Sequence, residues 1–218
     1  EWAVGHNTSL LSPIPDPDGK VRTLGTTQIP RHEVPDVEHR PVPSLVTAMA
    51  DLAKLDAKGL SRALTPLVEE YGKWLDQQRY TQLERKSLEE TRDALVGHAE
   101  RSKARISAGI ALLASDDVVR EAFVLANKAM HIAAIQADKQ REDPRYKDGK
   151  LPSWRPFQLA FVLMNLAPLA DPTHADRKLA DLIYFPTGGG KTEAYLGLIA
   201  YTLLLRRLRG KSRPDEGR

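Results

Sequence analysis

Three consecutive glycines followed by lysine and threonine, Gly188 to Thr192, sit between two apolar runs in "DLIYFPTGGGKTEAYLGLIA", residues 181–200. Successive glycines are poor residues for helix or strand. They do let a backbone fold closely around an anion with its amide N–H groups pointing inward. The run before them, "LADLIYF", has the continuous apolar character expected of a short strand buried on both faces. The run after them reads as a helix starting near Lys191, with the positive end of its dipole aimed at the same place. Strand, glycine turn, Lys-Thr and helix together make a phosphate-binding loop. Lys191 would reach the β- and γ-phosphates of a nucleotide, and the Thr192 hydroxyl would ligate Mg²⁺. These two are the expected catalytic residues.

The remaining chemistry-bearing residues are less ordered in their spacing. His32 and His39 flank Glu33 and Glu38 in a proline-rich stretch without the i, i+4 spacing of a helical metal site, and His98 and His131 stand alone on predicted helices. Tyr71 and Trp74 share a helical stripe with Leu67 and Leu75, so core packing is expected of them rather than base stacking. A terminal basic cluster, Arg206, Arg207, Arg209, Lys211 and Arg213, reads as a solvated helix end with a polar tail.

Around these residues the chain divides into three. Residues 1–43 read as a β-rich segment and linker, where "AVGHNTSLLS" and "VRTLGTTQI" flank the turn signal "PDPDG" as a hairpin. Four prolines follow in "PRHEVPDVEHRPVP". Residues 44–143 read as a helical accessory domain. Its expected signals are a cap and N1 proline at Thr65-Pro66, a capping box at Ser87–Glu90, and a cap at Ser115–Asp117. One apolar face should run through Leu88, Leu95, Ala99, Ile106, Ile110 and Leu113, and another through Val119, Phe123, Ala126, Met130 and Ala133. "REDPRYKDGKLPS" breaks the pattern. Residues 151–218 then read as the beginning of an α/β domain, opening with the buried helix "WRPFQLAFVLMNLA". The fold class expected is mixed α/β, predominantly helical.

Composition narrows the function classes. A net charge of +3 is too small to argue for nucleic acid by itself, and the absence of cysteine removes disulfides and thiolate zinc sites from these residues. It also fits a cytoplasmic location. The apolar stretch Ala194–Leu205 falls short of the roughly 20 residues a membrane span needs. The chain opens on Glu1 rather than Met, as an excised segment would. Beyond Lys191 the acidic residues are Glu193, Asp215 and Glu216, none following a buried strand. The acidic pair that holds Mg²⁺ and orients water in a motor ATPase is therefore expected elsewhere, and the chain reads as a fragment that is inactive alone.

Pro186-Thr187-Gly188-Gly189-Gly190-Lys191-Thr192 resembles motif I of superfamily 2 helicases. Several members carry a larger residue where the strict G-x-x-x-x-G-K-[ST] pattern wants its first glycine, as Phe185 does here. Upstream, "WRPFQ" resembles the R-x-x-Q element that precedes motif I in such translocases. With "EWAVGHNTS", "FVLANKAM" and "WRPFQLAFVLMNL", the chain resembles the helicase subunits of the DISARM anti-phage system. The resemblance implies a RecA-like motor domain beginning within 151–218 and ATP with Mg²⁺ as ligands. Thr187 would join Gly188–Thr192 in binding, Gln158 would read the adenine edge, and Arg155 or Trp154 would pack near the base. It implies DNA as the substrate and leaves room for a partner subunit of the defence system. Two other classes stay open: a signalling or assembly P-loop NTPase that never touches nucleic acid, and a scaffold with a structural nucleotide.

Overall fold

The computed structural model describes residues 9–11, 14–26, 40–183 and 190–212, with backbone only for 211 and 212. The described residues are predominantly helical: α1 (Met49–Leu52), α2 (Ala57–Tyr80), α3 (Glu89–Ser115), α4 (Asp117–Asp138), α5 (Pro156–Ala170) and α6 (Lys191–Ser212). Short 3-10 turns precede α3 (Lys86–Leu88) and follow α5 (Ala175–Lys178). The chain separates into two compact units, 1–38 and 39–218.

In the first unit the expected hairpin is reduced to one antiparallel bridge between Leu10 and Thr26, with Leu11 N donating to Gly25 O at 2.9 Å. The turn is present. Asp16 accepts from the backbone N of Asp18 and Lys20 and from Arg22, and Gly19 takes the left-handed φ of +71°. No strand exists among the described residues, because one bridge lacks the repeated ladder and the apolar face that sustain a hairpin. Most of "AVGHNTSLLS", all of the proline-rich stretch up to His39, and His6, His32 and His39 lie outside the described residues.

The second unit is held by one apolar core. Leu52, Leu60, Leu64, Leu113, Val119, Leu159, Leu163, Leu166 and Tyr201 are fully enclosed, so residues from α1 through α6 meet in the same cluster. At about 1.5–3 kcal/mol for each large side chain removed from water, this cluster is the main favourable term. α3 lies between α2 and α5, α4 packs on α6, and α5 touches both α3 and α6.

Local signals explain the helix ends, with three corrections. Asp116 caps α4 as expected, accepting from Val119 N at 2.9 Å. α2, however, begins at Ala57, where Asp56 accepts from Gly59 N at 2.7 Å, and Pro66 lies inside it. Burial of Leu60, Ala63 and Leu64 outweighs the local stop at the proline. The capping box at Ser87–Glu90 does not form: a 3-10 turn fills that stretch, and Leu88 precedes α3 without a side-chain cap. The apolar face of α3 also narrows, since Leu88 and Leu95 are exposed while Val96, Ile106, Ile110 and Leu113 are buried. α5 starts at Pro156, an N1 proline, and carries Pro168 in its last turn.

Candidate nucleotide site

α5 and α6 meet where the glycine loop ends. Gly190 has φ +85°, and a Cβ added there would stand 2.6 Å from Gln158 Nε2 and 3.1 Å from Glu193 Oε2. Only glycine satisfies both the backbone and the space. α6 begins directly afterwards at Lys191, so the positive end of its dipole faces the loop side. Thr192 is exposed and Lys191 half-buried. Thr187, Gly188 and Gly189, together with Phe185, lie outside the described residues.

Gln158 is 4% exposed and stands at the centre of this junction. Its Oε1 accepts from Arg155 N at 2.7 Å, and its Nε2 donates to Gly190 O at 2.6 Å. The side chain clips the start of α5 to the end of the loop. Arg155 is half-buried at the residue preceding α5. Trp154 is not an available ring face: it is 4% exposed, its Nε1 donates to Asn127 Oδ1 at 2.7 Å, and its ring edge would lie 2.6 Å from a Cβ at Gly197. The local folding that places these residues is a bridge between Ala48 and Ser153, with Met49 N donating to Pro152 O and Trp154 N to Thr47 O.

The approach to the loop differs from expectation. Residues 179–183 are not in a strand, and Leu179 and Leu182 are 56% and 88% exposed rather than buried on both faces. A parallel strand needs neighbours on both edges, and the described residues supply none. No RecA-like sheet is therefore seen among the described residues. The approach is instead fixed by charge. Arg105 of α3 grips Asp181 through both carboxylate oxygens at 2.6 and 2.7 Å, and its Nε lies 3.0 Å from Asp176. The Arg105 guanidinium beside Asp181 holds that carboxyl below the usual aspartate range, against the opposing effect of burial. These three residues were missed in the sequence. The available signal was a lone aspartate interrupting the apolar run "LADLIYF".

Tyr71 and Trp74 stack with ring centroids 5.7 Å apart, but Trp74 is 45% exposed and not core. They line an apolar cavity of about 670 Å³ with Phe157, Phe161, Met164 and Leu182. In the basic cluster, Arg209 is not simply solvated: its Nη1 donates to Ala170 O at 2.6 Å and, with Arg177 on Pro168 O, satisfies carbonyls at the end of α5. Among the described residues no helix is long and apolar enough to cross a membrane.

No family model matches the chain. The chain is similar to the DISARM protein DrmA of Bacillus paralicheniformis, with 34% identity over 204 aligned residues covering 85% of this chain. It spans only 18% of the length of that relative, so the likeness is to one part of a much longer DISARM protein.

Proposed function

We propose that this chain carries the nucleotide-binding entry of an ATP-dependent DNA helicase or translocase acting in anti-phage defence of the DISARM type. The observation that carries the reading is Gly190, held at φ +85° against Gln158 and leading straight into a helix that starts Lys191-Thr192. A phosphate loop needs this ending: a left-handed glycine, a helix N-terminus and a lysine on its first turn. Similarity to a DISARM protein over most of the chain supports the setting.

In this reading Gly188, Gly189 and Gly190 wrap the phosphates, with Thr187 at the loop's entrance. Lys191 pairs with the β- and γ-phosphates, and Thr192 holds Mg²⁺. The metal, when bound, neutralises phosphate charge. Arg155 lies beside the base. Gln158 has one amide hydrogen and one lone pair beyond its two backbone bonds, and these serve the adenine edge. The acidic pair that orients water and a second motor lobe come from the longer protein, and the sheet of a RecA-like domain builds onto residues 179–183.

The test is ATP turnover by the full-length protein, alone and with single-stranded DNA, duplex DNA or RNA, using Lys191→Ala as the blank. Stimulation by DNA that vanishes in the variant supports the motor. Turnover indifferent to every nucleic acid replaces it with a signalling or assembly ATPase. A Lys191→Ala protein with full defence activity would leave the nucleotide a structural role.

A further inference from the structure

We propose that Arg105, in the helical region, is a positioning residue for the nucleotide loop, an inference that rests on the nucleotide reading of residues 186–192. Its guanidinium makes a two-pronged pair with Asp181, at 2.6 and 2.7 Å, on the segment that leads into the loop. Its Nε lies 3.0 Å from Asp176 but is not aimed well enough for a hydrogen bond, so Asp176 contributes charge rather than direction. The three side chains are mostly enclosed, at 15%, 19% and 26% exposure. Asn165 of α5 also helps hold the Asp181 carboxyl below the usual aspartate range, after the larger effect of Arg105.

The arrangement fixes both sides of the loop from the same two helices. Arg105 of α3 holds the approach at Asp181, and Gln158 of α5 holds the exit at Gly190. α3 can contribute Arg105 because Gly109, one turn further along, lets the backbones of α3 and α5 nearly touch; a Cβ there would fall 2.0 Å from Leu163 O. Stability alone does not call for this pair, since well-packed apolar residues in place of a partly buried ion pair are commonly as stabilising or more so. What a forked arginine–carboxylate pair adds is direction. Anchors at Asp181 and Gly190 bracket the loop of the nucleotide reading, and small misplacements of binding groups cost large factors.

The experiment measures Kd for a fluorescent ATP analogue with Mg²⁺, and kcat and KM for ATP, on the full-length protein. The variants are Arg105→Met, Arg105→Lys, Asp181→Asn, and Arg105→Met combined with Asp181→Asn. Arg92→Met is the comparison, because Arg92 ties α3 to Thr81 O at the end of α2, away from the loop. Arg105→Met is expected to weaken binding about tenfold and raise KM with kcat little changed. Arg105→Lys should recover part of the loss, and the double variant should be no worse than either single one. Arg92→Met should lower the melting temperature without moving Kd. If the wild-type protein binds no nucleotide, or Lys191→Ala binds equally well, the nucleotide reading fails and the inference with it. If the wild type binds and Arg105→Met binds as tightly, or Arg92→Met weakens binding equally, the inference alone is overturned.

Discussion

Gly190 and Gly149 share a left-handed backbone, φ +85° and +80°, but not an environment. A Cβ at 149 meets nothing within 4 Å, whereas one at 190 collides with the amide that fixes the loop. Gly149→Ala is therefore expected to cost about 1 kcal/mol of backbone strain and leave nucleotide binding intact. Gly190→Ala should cost about 1–3 kcal/mol and abolish binding, since Gln158 must leave its place. Urea unfolding and analogue binding on both variants check this, and equal binding by both would refute it. Asp181 gives a second expectation at this scale. Its folded pKa is depressed, so the stability from its pair is full above the unfolded value of about 3.9 and is lost as pH falls through the folded value. Asp181→Asn should flatten the fall of stability below about pH 4 without removing it, because Asp16, Asp138 and Asp171 are depressed as well. Unfolding measured across that range with an unchanged slope would contradict the pairing.

At the scale of elements, two contacts decide how the helices sit. Gly109 lets α3 lie against Leu163 of α5, so Gly109→Val should force the helices apart and cost about 3 kcal/mol or more. Asn127 is 2% exposed and bonded through both amide atoms, donating to Phe123 O at 2.9 Å and accepting from the Trp154 indole. Asn127→Leu leaves that indole N–H buried and unpaired, at an expected cost of about 1–3 kcal/mol by chemical denaturation. Neither contact was legible in the sequence, because each joins residues distant along the chain. What was legible came from short range: the cap at Asp116, the N1 proline at 156, and a helix starting at Lys191 behind the glycines. The misses had the same origin. Thr65-Pro66 and Ser87–Glu90 are good local start signals, but burial of Leu60 and Leu64 carried α2 through the first, and a 3-10 turn took the second. The expected strand fails differently over residues 179–183. Its apolar pattern was read correctly, but a pattern does not supply the neighbouring strands that would make it a strand.

For the whole molecule, the placement of apolar surface matters most. α6 buries Ala194, Tyr201 and Leu205 on one side, yet Tyr195, Leu196, Ile199 and Leu203 leave a second stripe 45–62% exposed. A helix apolar on both sides belongs between two layers. Leu179 and Leu182 are exposed on the segment before the loop. The chain spans 18% of its longer DISARM relative, and the motor proposed above would place a sheet against these residues. The consequence is measurable in the full-length protein. Leu203 is 62% exposed among the described residues, where a surface change to glutamate would shift stability by no more than about 0.5 kcal/mol. If the stripe is covered by the rest of the protein, Leu203→Glu instead buries an unpaired charge and should cost about 2 kcal/mol or more. Lys128→Glu, on the exposed side of α4, supplies the comparison, with a change near zero. Equal, small shifts in both variants would mean that α6 keeps its outer face in water, and the sheet would have to lie elsewhere.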